Sequence, residues 1–138
     1  MKILRTVQVK EVLTEKKKQE LLEGFRAEEV QIENELKQLS FQLRKALRQY
    51  QGNLERERQL KETYRQEMNQ REERLKTVAF KRHQMEKLPL GSELKAGTVE
   101  SICEVQEGDR WEQLMTEPEI IVKDGVIHEV REGRKRDE

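Results

Sequence analysis

The chain has 138 residues, of which 41% are charged, 33% apolar and 4% aromatic. Its 28 basic and 28 acidic side chains cancel, and so small an apolar share leaves only a narrow core, in which an active-site cleft is hard to build. A single cysteine excludes an intrachain disulfide framework, and no apolar run nears the ~18 residues of a membrane helix.

Residues 2–13 (KILRTVQVKEVL) alternate Val7 and Val9 with Thr6, Gln8 and Lys10. Period two with β-branched residues predicts a strand. It needs a partner, and other strand-like sequence lies only past residue 96.

At Thr14, a suitable helix N-cap, the period changes. Leu22, Phe25, Glu29, Ile32, Leu36, Leu39, Leu43, Ala46 and Tyr50 step by three and four, an a/d seam with one polar intruder, Glu29. Gln51-Gly52-Asn53 interrupts helix propensity and suits a tight turn between helices. A second run follows: Leu54, Glu57, Lys61, Tyr64, Met68, Arg71, Leu75, Val78, Arg82 and Met85. Pro89 stops it, because the residue before a proline is pushed out of the helical region. Two runs of nearly equal length about a short turn predict an antiparallel hairpin over 14–87. Folding back at Gly52 brings Glu29 within reach of Arg71 or Arg82. Exposed faces carry i,i+4 charge pairs such as Glu33/Lys37, Glu57/Lys61, Glu67/Arg71 and Glu72/Lys76.

The remainder returns to sheet. In TVESICEVQ the residues Val99, Cys103 and Val105 share one face. Asp109 and Glu112 have capping-box spacing at the start of a short helix, 110–115. Glu119–Lys123 and Val126–Arg131 flank Asp124-Gly125, a hairpin signal. Trp111, the lone tryptophan, is expected to plug the sheet, the alternative being the anchor of a partner surface. The expected organisation is α+β: a long coiled-coil-like hairpin inserted into a small, mostly antiparallel sheet. The sheet is formed by residues 1–13 and 88–133, with a frayed tail at 134–138.

Several segments carry a resemblance. VLTEKKKQELLEGFR, LPLGSELKAG, VQEGDRWEQLM and IIVKDGVIHEVR resemble the YlqD family of bacilli and related Gram-positive bacteria. The middle of the hairpin matches least. The resemblance implies a cytoplasmic bacterial protein with an RNA neighbourhood, and it supplies no catalytic residues.

Chemistry-bearing residues are sparse. Cys103 could serve as a nucleophile with His128 as base only if their strands are neighbours; on an apolar face a cysteine is more simply a small hydrophobe. His83 and Glu86 have a usable helical spacing but lack a third ligand. No catalytic, cofactor or metal site is expected, and the chain is read as non-enzymatic. Charge placement says more. Residues 44–65 hold Arg44, Lys45, Arg48, Arg56, Arg58, Lys61 and Arg65 against three acids, while residues 88–138 hold seven basic and thirteen acidic side chains. A basic hairpin tip could follow an RNA backbone, with Tyr50 stacking on a base. Val30, Phe41 and Phe80 lie off the seam, and exposed apolar positions mark interfaces. The expectation is therefore a cytoplasmic, homo-oligomeric interaction or scaffold protein without cofactor, small-molecule substrate or membrane association. The alternative is an RNA- or ribosome-associated factor.

Overall fold

Two antiparallel helices carry the middle of the chain, and a four-stranded mixed sheet is assembled from its two ends. The structure, a computed structural model, describes residues 1–132; the tail expected at 134–138 lies outside them. The elements in order are β1 (Lys2–Val12), α1 (Glu15–Gln49), α2 (Leu54–Lys87), β2 (Glu93–Glu104), α3 (Trp111–Met115), β3 (Glu119–Lys123) and β4 (Val126–Arg131). They form two compact units. One comprises residues 1–18 and the chain from Leu88 onward; the other is Gln19–Lys87.

In the helical unit, α1 and α2 meet along a narrow seam. Ile32 and Val78 are its buried members, at 1% and 5% exposure. Tyr50, Gln51 and Gly52 make the turn, with Gly52 at φ 91°. That left-handed backbone costs a glycine little, because it has no Cβ to clash. Asn53 then caps α2: its Oδ1 accepts from the Arg56 amide at 3.1 Å, satisfying one orphan donor of the first turn. The seam departs from the spacing above at its distal end. Leu60 is half-buried while Lys61 and Leu54 are exposed, so the second helix steps 57, 60, 64. An apolar side chain displaces a cation from the seam, as desolvation cost requires.

Charges staple the two helices together. Glu29 pairs with Arg82, Glu35 with Arg71 and Glu28 with Arg74. Glu67–Arg71 forms within α2, and Lys76 turns to Glu73. Neither Glu33–Lys37 nor Glu57–Lys61 forms an ion pair among the described residues.

In the other unit the strand order is β2-β1-β3-β4. β1 pairs antiparallel with β2 and β3 with β4, but β1 and β3 run parallel. The sheet is therefore mixed and, with two antiparallel pairings to one parallel, mostly antiparallel as expected. The reason for the parallel pair is the connection 105–118: it passes from β2 to the far side of β1 and enters β3 in the direction of β1. Thr14 closes the end of β1. Its hydroxyl accepts from the Lys17 amide, capping α1, and donates to Asp124. The segment entering β2 returns to this point, with Leu13 N donating to Ser92 O at 2.7 Å and Gly91 N to Leu13 O at 2.9 Å. Asp124 and Gly125 both have positive φ, 47° and 81°, matching the twist of a two-residue hairpin turn.

Val7, Leu13, Cys103, Leu114 and Ile121 are the buried apolar residues of this unit. Leu114, not Trp111, is the buried residue of α3: Trp111 is 66% exposed. No side chain caps α3. Asp109 instead accepts from the Gln106 amide, closing the turn before the helix, so the capping box does not form.

Candidate functional site

The basic residues of the hairpin separate into two groups by their partners. Arg71, Arg74 and Arg82 are engaged by acids of α1. Toward the turn, Arg65 is held by Glu62 through two short hydrogen bonds, which lower the Glu62 carboxyl below the ordinary carboxylate range. Arg56 lies 5.1 Å from the centre of the Tyr50 ring and reaches Gln59. Arg44, Lys45, Arg48, Arg58 and Lys61 have no hydrogen-bond or ion-pair partner among the described residues.

Composition explains why. From Leu36 to Leu54 the chain contains no aspartate or glutamate, so no i±3 or i±4 acid can neutralise Arg44, Lys45 or Arg48. This acid-free stretch is the signal that a simple charge count over 44–65 passes over. It accounts for Arg44, Lys45 and Arg48, whereas Arg58 and Lys61 are unpartnered although Glu55, Glu57 and Glu62 are near in sequence.

Phe41, Arg44, Lys45 and Arg48 occupy i, i+3, i+4 and i+7, one face of α1. Together they line a shallow groove. Phe41 is 61% exposed. Leu36, Leu39 and Leu43 are half-buried, on the face directed into the seam. The Tyr50 ring is half-buried beneath Arg56, so Phe41 rather than Tyr50 is the open aromatic surface. Val30 and Phe80 are also exposed, at 55% and 62%.

The sheet unit presents a second surface. Register places Val9, Ile120 and Val130 as cross-strand neighbours on one face, with Val122 and Ile127 alongside. Val130, Ile127 and Val99 are exposed, as are Trp111 and Met115 of α3. On the opposite face an ion network draws on all four strands. Arg131 of β4 binds Glu93 of β2, Glu119 of β3 and its neighbour Glu129, while Lys10 of β1 binds Glu119. Lys10, then Arg131, hold the Glu119 carboxyl below its ordinary value, and Arg131 does the same for Glu129. The three carboxylates, Glu93 foremost, push the Arg131 guanidinium up. No sequence signal identifies this cluster, because it exists only in the cross-strand register.

The conditional Cys103–His128 dyad is not assembled. Cys103 is on β2 and His128 on β4, the two edge strands, with β1 and β3 between them. Cys103 is buried opposite Ile3. His83 lies 3.8 Å from Glu86 on exposed helix surface. Among the described residues no group of three His, Cys, Asp or Glu side chains could hold a metal ion. No described helix is long and apolar enough to cross a membrane.

Comparison with known proteins agrees with this architecture. A curated relative, the uncharacterised protein YlqD of Bacillus subtilis (strain 168), is 34% identical over 132 residues, spanning 96% of this chain and 99% of its own. The crystal structure of a protein of unknown function from Synechococcus sp. WH 8102 superimposes with a TM-score of 0.76. It is 22% identical and 96% of each chain is covered, a likeness of fold alone. The family model described as YlqD protein matches residues 1–131, and the chain belongs to the YlqD family.

Proposed function

We propose that this chain is a non-enzymatic interaction protein of the cytoplasm, whose hairpin makes protein contacts and self-associates through Val30, Phe41 and Phe80. The observation that carries the reading is the exposure of these three residues on the outer faces of two helices whose seam is already filled. A two-helix hairpin has no further layer with which to cover them, and exposed large apolar side chains in such an arrangement mark contact surfaces. Trp111 adds a second anchor, since an exposed tryptophan is the residue type most often found at the energetic centre of an interface.

Affinity capture from nuclease-treated native lysate tests it. A protein partner or second copy is retained by the wild type and by a chain with charge reversed at Arg48, Arg56 and Arg58, and is lost on Phe41→Glu. Recovery of the bait alone, as a monomer, contradicts the proposal. The unpartnered cations beside Phe41 favour a second reading, nucleic-acid association, developed next.

A further inference from the structure

We infer that the face of α1 bearing Phe41, Arg44, Lys45 and Arg48 binds single-stranded nucleic acid, the cations following the phosphates and the phenylalanine ring stacking on a base. Three features converge, the second being the cause of the first. The cations are unpartnered, whereas Arg71, Arg74 and Arg82 nearer the hairpin base are paired with acids of α1. Their stretch of α1, Leu36–Gln49, and the turn that follows are free of acid, so nothing in them repels a phosphate. An exposed aromatic ring stands on the same face, in the same groove. Aromatic side chains beside a positively charged track are the working parts of sequence-tolerant single-strand binding, and unstacked bases are what a protein ring can reach.

The face spans about 10 Å of helix at 1.5 Å per residue. A membrane surface fits it less well. The apolar side of this helix, with Leu36, Leu39 and Leu43, is turned into the seam, leaving Phe41 alone to enter a bilayer, whereas interfacial helices bury a whole apolar face. An acidic protein would satisfy the cations but has no particular use for the ring.

The inference does not rest on self-association, and the two compete for Phe41: a ring covered by a second copy is not open to a base. The test is fluorescence anisotropy with labelled oligouridylate and oligothymidylate of about 20 nucleotides, well above the footprint of such a face. Three phosphate contacts predict that affinity falls about twentyfold as salt rises from about 50 mM to about 200 mM, since the logarithmic slope is roughly 0.7 per contact for single strands. Arg44→Glu/Lys45→Glu/Arg48→Glu abolishes binding. Arg48→Gln alone lowers the slope by one contact. Phe41→Ala weakens binding about tenfold and leaves the slope unchanged. A preference for oligouridylate identifies RNA as the natural source; equal binding supports the shared chemistry. Binding without salt dependence, undiminished binding by the charge-reversed chain, or equally tight binding of inorganic polyphosphate overturns the inference. So does binding to phosphatidylglycerol vesicles or to an acidic protein but to neither oligonucleotide. Circular dichroism of each variant controls for folding. The charge-reversed chain keeps its wild-type mass in sedimentation equilibrium, so loss of nucleic-acid binding and loss of self-association are read separately.

Discussion

Arg82 Nε donates to Glu29 Oε1 at 2.5 Å across the helical seam, and a second hydrogen bond from Arg82 reaches Glu86 on its own helix. Glu29 is the one acid at a seam position of α1. Its carboxylate, first, and then that of Glu86 raise the Arg82 guanidinium, so the arginine is charged at every accessible pH. Glu29→Leu leaves Arg82 facing apolar surface with only Glu86 of its own helix to pair with, and the melting temperature falls. Restoring symmetry with Glu29→Leu/Arg82→Leu recovers most of the loss, because replacing both members of a partly buried pair is less damaging than removing one. Thermal unfolding of the two single variants and the double variant measures the coupling. Additive losses would show that the pair contributes nothing.

Leu114 and Trp111 separate stability from contact. Leu114 is 4% exposed and Trp111 66%, so Leu114→Ala costs about 2–4 kcal/mol through the cavity it leaves. Trp111→Ala stays within about 0.5 kcal/mol yet weakens capture of a protein partner. Chemical denaturation of both variants, with capture run in parallel, tests the assignment.

The turn has a specific chemistry. Gly52 sits at φ 91°, where an L side chain is strained, so Gly52→Ala costs about 1 kcal/mol although nothing would crowd the new Cβ. Asn53→Ala removes the cap of α2 and costs about 1 kcal/mol. The two measured together by urea unfolding show whether the hairpin depends on its tip.

Acid weakens the sheet unit in a defined direction. Lys10 and Arg131 lower the Glu119 carboxyl, and Arg131 lowers that of Glu129. A carboxyl whose folded pKa is depressed adds stability above the unfolded value, about 4.3 for glutamate. That contribution is lost as pH falls from there through the folded pKa. Wild type therefore exceeds Arg131→Gln in melting temperature by a constant margin near neutrality, and the margin narrows below pH about 4.3. An unchanged margin at low pH would remove the ion network from the stability of this unit.

Much of the fold is legible in the sequence for identifiable reasons. The seam from Phe25 to Leu43 has an unbroken three–four step, Gly52-Asn53 supplies left-handed backbone and a cap, and Asp124-Gly125 dictates a hairpin turn. What was illegible depends on register or on competition between neighbours. The parallel pairing of β1 with β3 follows from where the 105–118 connection lands, which no local pattern encodes. Leu60 takes the seam position that spacing alone assigns to Lys61, since both fit a three–four step and only packing chooses. Trp111 reads as a plug because it is large and apolar, while Leu114, three residues on, fills the space. On the hairpin, counting charge finds the basic tip, but only the contacts show that Arg65 is held by Glu62 and Arg56 by Tyr50 and Gln59.

The contact reading stands or falls on the mass of the protein in solution. Sedimentation equilibrium at tens of micromolar should give twice the 16.5 kDa of the chain, returning to a single chain in Val30→Glu/Phe41→Glu/Phe80→Glu with helicity intact. A wild-type mass of 16.5 kDa across that range would contradict it.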